Sequence, residues 1–307
     1  MNYLITIIGP TAIGKTALGI ALAKHYGCEI ISCDSRQFFK EMRIGTAVPS
    51  DNELSQATHH FIQNKSIFEE YTVGDFERDA IAKLDELFLK NNIQIMVGGS
   101  GLYVDAVLKG FDVFPDIVPA IREQVRTNYE ALGIAYLQEK LKELDLDYYN
   151  NILTDNPQTL QNPQRMMRFV EVCLSSEKPY SSFLNKEKNT RNFIPISIGL
   201  EADREIIYDR INQRVDIMIN EGLLTEAEKL YSHKQLNALQ TVGYRELFSF
   251  FDGDFTLDFA IEEIKKNTRR FSKRQLTWFR RTENTIWFDY KTDISKIIES
   301  INLTLMP

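Results

Sequence analysis

Gly9-Pro10-Thr11-Ala12-Ile13-Gly14-Lys15-Thr16 matches the pattern G-x-x-x-x-G-K-[ST] at every fixed position. Its flanks give the match its meaning. Tyr3 to Ile8 (YLITII) is a short β-rich apolar run of the kind that forms a buried strand, and Thr16 to Lys24 (TALGIALAK) is a run of helix formers interrupted only by Gly19. Strand, glycine loop and helix in that order make a phosphate-binding loop. Backbone N–H groups of the loop and the helix N-terminus converge on an anion, Lys15 adds a mobile positive charge, and the Thr16 hydroxyl offers a ligand to Mg²⁺. The bland alternative is a glycine-rich turn that binds nothing. The loop specifies a polyphosphate or pyrophosphate, without saying which or what becomes of it.

Working outward, Cys28 to Cys33 (CEIISC) reads as a second strand that delivers Asp34-Ser35-Arg36-Gln37 to its carboxyl end. Ligands of open α/β sheets sit at the carboxyl ends of strands, which places Asp34 near the loop opened by Gly9. Asp34 as the N-cap of a helix over Ser35 to Lys40 is the competing reading. Residues 45–75 are polar and turn-rich, Asp75 to Lys90 is an amphipathic helix, and Ile93 to Val97 is a third strand. That strand runs into Gly98-Gly99-Ser100-Gly101 ahead of a helix from Leu102 to Leu108, a second junction where backbone approaches a ligand, or merely a tight packing contact. After Gly110 the character changes. Residues 120–184 carry helical patterns at Ile121 to Leu132, Tyr136 to Leu144 and Pro163 to Ser175, and 185–192 is a charged linker. Phe193 to Leu200 returns to the strand pattern, and long helices follow from Asp203 to His233. The expected fold is therefore α/β, a P-loop NTPase-like parallel sheet flanked by helices with an all-helical insertion domain: residues 1–112 and 193–307 form the catalytic core, residues 113–192 the insertion.

The 307 residues are 43% hydrophobic, enough for a real core. Cys28, Cys33 and Cys173 make neither a CxxC nor an even disulfide framework, so reduced thiols are expected. The adjacent histidines His59-His60 do not point at one metal on a helix or strand, which disfavours zinc. No run approaches the ~18 apolar residues that span a bilayer, and the strand beginning at Tyr3 leaves no room for a signal peptide. A cytoplasmic protein is expected.

Charge is distributed unevenly. The net charge is −7, yet Lys265 to Arg281 (KKNTRRFSKRQLTWFRR) holds eight cations and no acid, with Phe271 and Trp278 seven apart on one helical face. A basic stripe with stacking side chains marks a nucleic-acid partner; a core-facing aromatic stripe with a solvated back is the alternative. Arg165 and Arg168 share a face of the helix opened by Gln164-Arg165-Met166-Met167-Arg168. Arg210 and Arg214, four apart, either reach a pyrophosphate or pair with neighbouring acids.

With these residues in hand, the sequence resembles the tRNA dimethylallyltransferase (tRNA isopentenyltransferase) family over nearly its whole length. The resemblance rests on GPTAIGKT (9–16), DSRQ (34–37), HHF (59–61), YTVGDF (71–76), GGSGLY (98–103), NPQRMMRFVEV (162–172), KPYS (178–181), IYDRINQRVD (207–216), LQTVGYRE (239–246) and TRRFSKRQLTWFR (268–280), the last two being the most family-specific. It implies transfer of a dimethylallyl group from dimethylallyl diphosphate to N6 of the adenosine 3′ to the anticodon (position 37), by a monomer whose helical insertion grips the tRNA anticodon arm. It further implies Asp34 as general base, with Thr11 and Arg214 also catalytic. Residues 9–16 would hold the diphosphate, with Mg²⁺ on Thr16. Asp34, Ser35, Arg36, Gln37, Ser100, Arg122 and residues 164–168 would touch tRNA. Two positions depart from the family: Ser100 replaces a threonine and keeps its hydroxyl, and Gln161-Asn162 puts an amide where the family has a carboxylate. The expected form is the bacterial type, lacking the zinc finger of eukaryotic members. The rival readings are a P-loop kinase with Asp34 as base on an acceptor hydroxyl, and an RNA-binding module with a vestigial loop.

Overall fold

The structure is a computed structural model describing residues 1–112, 114–184 and 190–305. The chain divides into two compact units, Met1–Lys109 with Arg191–Pro307, and Gly110–Thr190. The boundary expected at residue 113, and residues 185–189 of the expected linker, lie outside the described residues.

The first unit opens with β1 (Asn2–Ile8), α1 (Lys15–Tyr26), β2 (Ile30–Ser32), α2 (Asp51–Leu54), β3 (His59–His60), α3 (Val73–Phe88), β4 (Ile93–Val97) and α4 (Gly101–Lys109). The second unit is α5 (Pro119–Leu132), α6 (Ile134–Leu144), α7 (Leu146–Asp155) and α8 (Pro163–Ser176), joined by turns. The first unit resumes with β5 (Phe193–Glu201), α9 (Arg204–Asn220), α10 (Leu223–Leu230), α11 (Tyr244–Phe251), α12 (Leu257–Phe279), β6 (Ile286–Asp289) and α13 (Ile294–Leu305). Its six strands form one parallel sheet in the order β3-β2-β4-β1-β5-β6, a P-loop NTPase-like arrangement. The strand that follows the helical unit, β5, lies beside β1, with Ile5 opposite both Ile95 and Ile196.

The apolar run of β1 lacks alternation because both faces of the sheet are covered. Leu4 and Ile8 pack with Phe76, Leu84 and Phe279 on one side, while Ile5 and Ile7 pack with Leu18, Leu22 and Ile211 on the other. The helical unit has its own core around Val125, Leu137, Leu141, Phe169 and Val170. At the carboxyl edge of the sheet the chain leaves β1 into Gly9–Gly14, β2 into Asp34 and β4 into Gly98–Gly101, which assembles the site.

Several elements differ from the sequence expectation. The second strand is only Ile30–Ser32, since Cys28 N–H is spent on Ala23 O at the end of α1. No helix follows Asp34: its carboxylate accepts from Arg36 N–H (3.1 Å) and its carbonyl from Gln37 N–H (3.1 Å), forming a turn, so the N-cap reading falls. The polar stretch 45–75 hides α2 and the edge strand β3, whose His60 Nε2 meets Glu29 (2.6 Å). The helical unit contains a further helix, α7, capped by Asp145, which also accepts from Ser181 N–H (2.7 Å). Beyond the basic segment come β6 and α13. None of the described helices is long and apolar enough to cross a membrane, and the three cysteines are free.

A third core cluster joins α9, α10, α11 and α12 to the loop after Asp34. Its polar centre is Glu226, whose carboxylate accepts from the N–H groups of Arg43 (3.0 Å), Ile44 (2.8 Å) and Gly45 (2.9 Å) and from Tyr244 Oη (2.6 Å). Burial and that carboxylate push the Tyr244 phenol far above its ordinary pKa. We expect Tyr244→Phe to lower unfolding stability by about 1.5–3 kcal/mol, the range for a hydrogen bond to a charged group. Glu226→Ala should cost more, because it strands three amides. Urea denaturation of both variants checks the order.

Candidate functional site

The phosphate loop is shaped by backbone that only small residues tolerate. Gly9 sits at φ 144°, and a Cβ there would lie 2.6 Å from Leu200 O of β5. Ala12 (φ 64°) and Gly14 (φ 111°) also turn left-handed, curling the loop into a concave cradle ahead of α1. Lys15 Nζ donates to Gly9 O (3.0 Å) and Pro10 O (2.7 Å), so the ammonium lies over the loop. Burial lowers its pKa from 10.5 to about 8; the Asp34 charge opposes this fall and Arg214 adds to it.

Asp34 stands across from the loop, half-buried. Burial raises its pKa, against the pull of Arg36 N–H and the positive charges of Lys15, Arg36 and Arg214. Two cavities open on either side of it. The first, about 640 Å³, is lined by Thr11 to Ala17, the 43–53 loop, His59 and Arg214. The second, about 510 Å³, has an aromatic and cationic wall that includes Tyr103, Arg245, Phe271, Arg274 and Trp278. Thr11, Asp34 and Arg214 line both.

The two arginines of α9 separate here. Arg210 Nε donates to Ala12 O (2.7 Å) and its guanidinium lies over the Tyr290 ring, so it braces the loop. Arg214 makes no hydrogen bond or ion pair among the described residues and faces both cavities; burial lowers its pKa, as does Arg210, against the charges of Glu53 and Asp34. The acids that would have made intrahelical pairs are otherwise engaged: Asp209 accepts from Gln213, and Asp216 pairs with Lys265.

Other expected site residues hold the walls. Ser100 Oγ accepts from Ser35 N–H and meets Ser35 Oγ, both at 3.1 Å. Gln37 Nε2 donates to Thr46 O (3.2 Å) and Ala47 O (2.9 Å), and Arg36 Nη1 to Asn237 O (3.1 Å) and Ala238 O (3.0 Å). In the helical unit, Gln164, Arg165 and Arg168 line a cleft with Tyr148, Phe169 and Tyr180. Arg122 lies 4.0 Å from Glu171. Met166, expected to touch tRNA, is wholly buried in that unit's core, and Met167 packs against the same core, so both serve packing there. Asn162 caps α8 by accepting from Arg165 N–H (3.2 Å), so the amide performs the capping for which a carboxylate was expected.

Gln275 of α12 escaped the sequence reading. Its Oε1 accepts from Thr11 N–H (2.8 Å) and its Nε2 donates to Gly99 O (2.8 Å). The second glycine turn is thus a packing contact with α12: a Cβ on Gly99 would lie 2.3 Å from Gln275 Nε2, and one on Gly101 2.4 Å from Trp278. The available signal was position, since Gln275 falls between Phe271 and Trp278 on the same helix. Those aromatics are 37% and 36% exposed, so they face the second cavity and not the core. The basic segment is also less one-signed than its sequence: Lys265 pairs with Asp216 and Glu262, and Lys266 with Glu263.

A sequence model of the family described as IPP transferase matches residues 37–282. The chain is similar to the tRNA dimethylallyltransferase of Flavobacterium psychrophilum, at 83% identity over 98% of each chain. It is also similar to tRNA dimethylallyltransferase 1 of Phocaeicola vulgatus, at 40% identity over 98% of this chain and 99% of the relative. Among solved structures it is similar to the full-length tRNA isopentenylpyrophosphate transferase of Bacillus halodurans, at 34% identity and TM-score 0.72 over 99% of this chain and 96% of that one. A eukaryotic dimethylallyltransferase acting on tRNA shares the fold at 24% identity and TM-score 0.81, over 100% of this chain and 78% of that one.

The Lys15 environment has a measurable sign. Below pH 8 the ammonium is charged and its burial costs stability; that cost fades as pH rises from about 8 to 10.5. A bound polyanion restores the charge, so inorganic diphosphate binding near pH 8.5 should take up a proton. Calorimetry in two buffers of different ionisation enthalpy reads the uptake, and Lys15→Met should abolish the part due to this residue while weakening binding.

Proposed function

The chain belongs to the IPP transferase family of prenyl-transferring enzymes, and from that premise we propose that it transfers a dimethylallyl group from dimethylallyl diphosphate to N6 of the adenosine 3′ to the anticodon (position 37) of tRNA, acting as a cytoplasmic monomer. The observation that carries this reading is the pair of cavities meeting at Thr11, Asp34 and Arg214. A phosphate cradle opens on one side and an aromatic, cationic wall on the other. A kinase for small acceptors needs no such second wall, and an RNA-binding module needs neither the cradle nor a carboxylate beside it.

The adenine amine is a poor nucleophile because its lone pair is delocalised into the ring. Asp34 orients it and accepts its proton as the N6–C1 bond forms. The C1–O bond breaks, and its electron pair leaves with the diphosphate. Loop N–H groups, Lys15 and Arg214 stabilise the negative charge that develops there. The acceptor base must leave its stack to reach Asp34, and the wall carrying Tyr103, Phe271 and Trp278 offers it stacking surface in the second cavity. On this reading Arg165 and Arg168 hold the anticodon arm.

The residues present fit a shared Mg²⁺. Thr16 Oγ1 lines the first cavity with no protein hydrogen-bond partner among the described residues, and Asp34 lines the same cavity. No group of three or more His, Cys, Asp or Glu side chains forms a dedicated metal cage among those residues. One hydroxyl completed by diphosphate oxygens and water suits this ion. When bound, it would neutralise charge on the leaving diphosphate.

The test is mass spectrometry of nucleosides from anticodon stem-loop RNA incubated with the protein and dimethylallyl diphosphate, which should show N6-(dimethylallyl)adenosine. Asp34→Ala should lower turnover by about 10²–10⁴-fold while RNA still binds; near-normal turnover removes Asp34 from the base role. Because the Asp34 pKa is raised, wild-type activity should fall with acidification above the ordinary aspartate range. Replacing both Arg165 and Arg168 by Ala should weaken RNA binding and flatten its salt dependence, and an unchanged salt slope would make these arginines structural.

A further inference from the structure

Six residues line both cavities: Thr11, Asp34, Thr46, Ala47, Arg214 and Met218. Thr11, Asp34 and Arg214 are the polar groups of the reaction, and the Thr46 hydroxyl donates to Met42 O. The methyl of Ala47 and the side chain of Met218 are left as the apolar surface of the neck. We propose that this pair sets the size of the alkyl group, admitting a five-carbon donor and excluding a ten-carbon one. The inference rests on the transferase reading above.

Transfer needs the diphosphate on the phosphate-loop side of C1 and the amine on the Asp34 side. The rest of the alkyl group therefore projects sideways, against the wall of the neck. That wall is fixed on one side and adaptable on the other. Ala47 is held at φ 51°, in a region that L residues seldom adopt, by the Gln37 amide gripping the Thr46 and Ala47 carbonyls. Met218 lies one helical turn beyond Arg214 on α9, so its thioether shares the guanidinium's face. An unbranched methionine moulds itself to a small branched chain, while its length occupies the space a second isoprene unit would need. Beyond the neck the first cavity is lined by apolar residues, Ile44, Val48 and Ile217 among them, together with the exposed Asp51 and its partner Arg43. A longer hydrocarbon tail must therefore pass Met218 to reach that cavity. The second cavity is no alternative, because the acceptor base must use it.

The experiment compares kcat/KM for dimethylallyl and geranyl diphosphate, with anticodon stem-loop RNA as acceptor, in the parent, Met218→Ala and Met218→Phe. The parent should prefer the five-carbon donor by about 100-fold or more, the scale on which a pocket wall discriminates hydrocarbon size. Met218→Ala should narrow that preference about tenfold by gaining geranyl transfer. Met218→Phe should lose dimethylallyl transfer without any such gain. A general loss of structure cannot produce a gain with the larger donor. Should Met218→Ala not fold, Met218→Val gives the same comparison with a smaller enlargement. A parent that uses both donors equally, or a folded, active small-residue variant with an unchanged donor ratio, overturns the proposal alone. A parent that binds RNA yet transfers neither group overturns the transferase reading and this inference with it.

Discussion

A single buried amide holds the site together. Gln275 accepts from Thr11 N–H and donates to Gly99 O, pinning the phosphate loop and the second glycine turn to α12 at once. Glutamate at this position would lack the donor for Gly99 O, and an aliphatic residue would leave a buried N–H and C=O without partners, at roughly 1–3 kcal/mol for each group. The contact also dictates its surroundings. Gly99 and Gly101 carry no Cβ because Gln275 and Trp278 occupy that space. Thr11 N–H, being spent on Gln275, is unavailable to an anion, so the donors of the cradle come from later in the loop.

The second constraint is electrostatic. Lys15 and Arg214 line one cavity, with Arg210 one turn before Arg214 on α9; burial first, and then a neighbouring cation, lowers the pKa of Lys15 and of Arg214. The protein offsets the cost unequally. Lys15 rests on the carbonyls of Gly9 and Pro10, and Arg210 on that of Ala12, whereas Arg214 has only the more distant charges of Glu53 and Asp34. The cation without a hydrogen-bond partner is the one that faces both cavities. An anion arriving there relieves the repulsion of Arg214 with Lys15 and Arg210. Burial still raises the Asp34 pKa, against the Arg36 N–H and the charges of Lys15, Arg36 and Arg214.

The parallel sheet was legible because its strands are continuous apolar runs bounded by glycine, and the phosphate loop because its residue types and its flanks agree. Asp34 was placed correctly by the rule that sites gather at carboxyl ends of parallel strands. The elements that escaped had no such signature. The strand β3 is two histidines on a sheet edge, and its pairing with Ile30 and Ile31 depends on long-range register, which local pattern does not encode. The resemblance gives Arg36 and Gln37 as tRNA contacts; what local pattern does not show is that a guanidinium nitrogen of Arg36 and the side-chain amide of Gln37 also donate to the backbone carbonyls of Ala238 and Ala47. Met166 shared a motif with the exposed Arg165 and the half-buried Arg168, but on a helix its position turns it into the core.

The closing helix shows how fine that limit is. Phe271, Arg274 and Trp278 repeat at intervals of three and four, as an amphipathic core stripe would. The core stripe is one residue further on: Ser272, Gln275 and Phe279 are the buried set. Both stripes fit helical periodicity equally, and the one with larger aromatics is the exposed one. What decides between them is the partner surface. Two glycine turns can receive a flat amide and the edge of a ring, but not a row of bulky side chains. The polar residue therefore goes inward, where it ties the loops together, and Phe271 and Trp278 turn outward with Arg274 onto the second cavity. One helix thus fixes the cradle with its buried face and lines the second cavity with its exposed one.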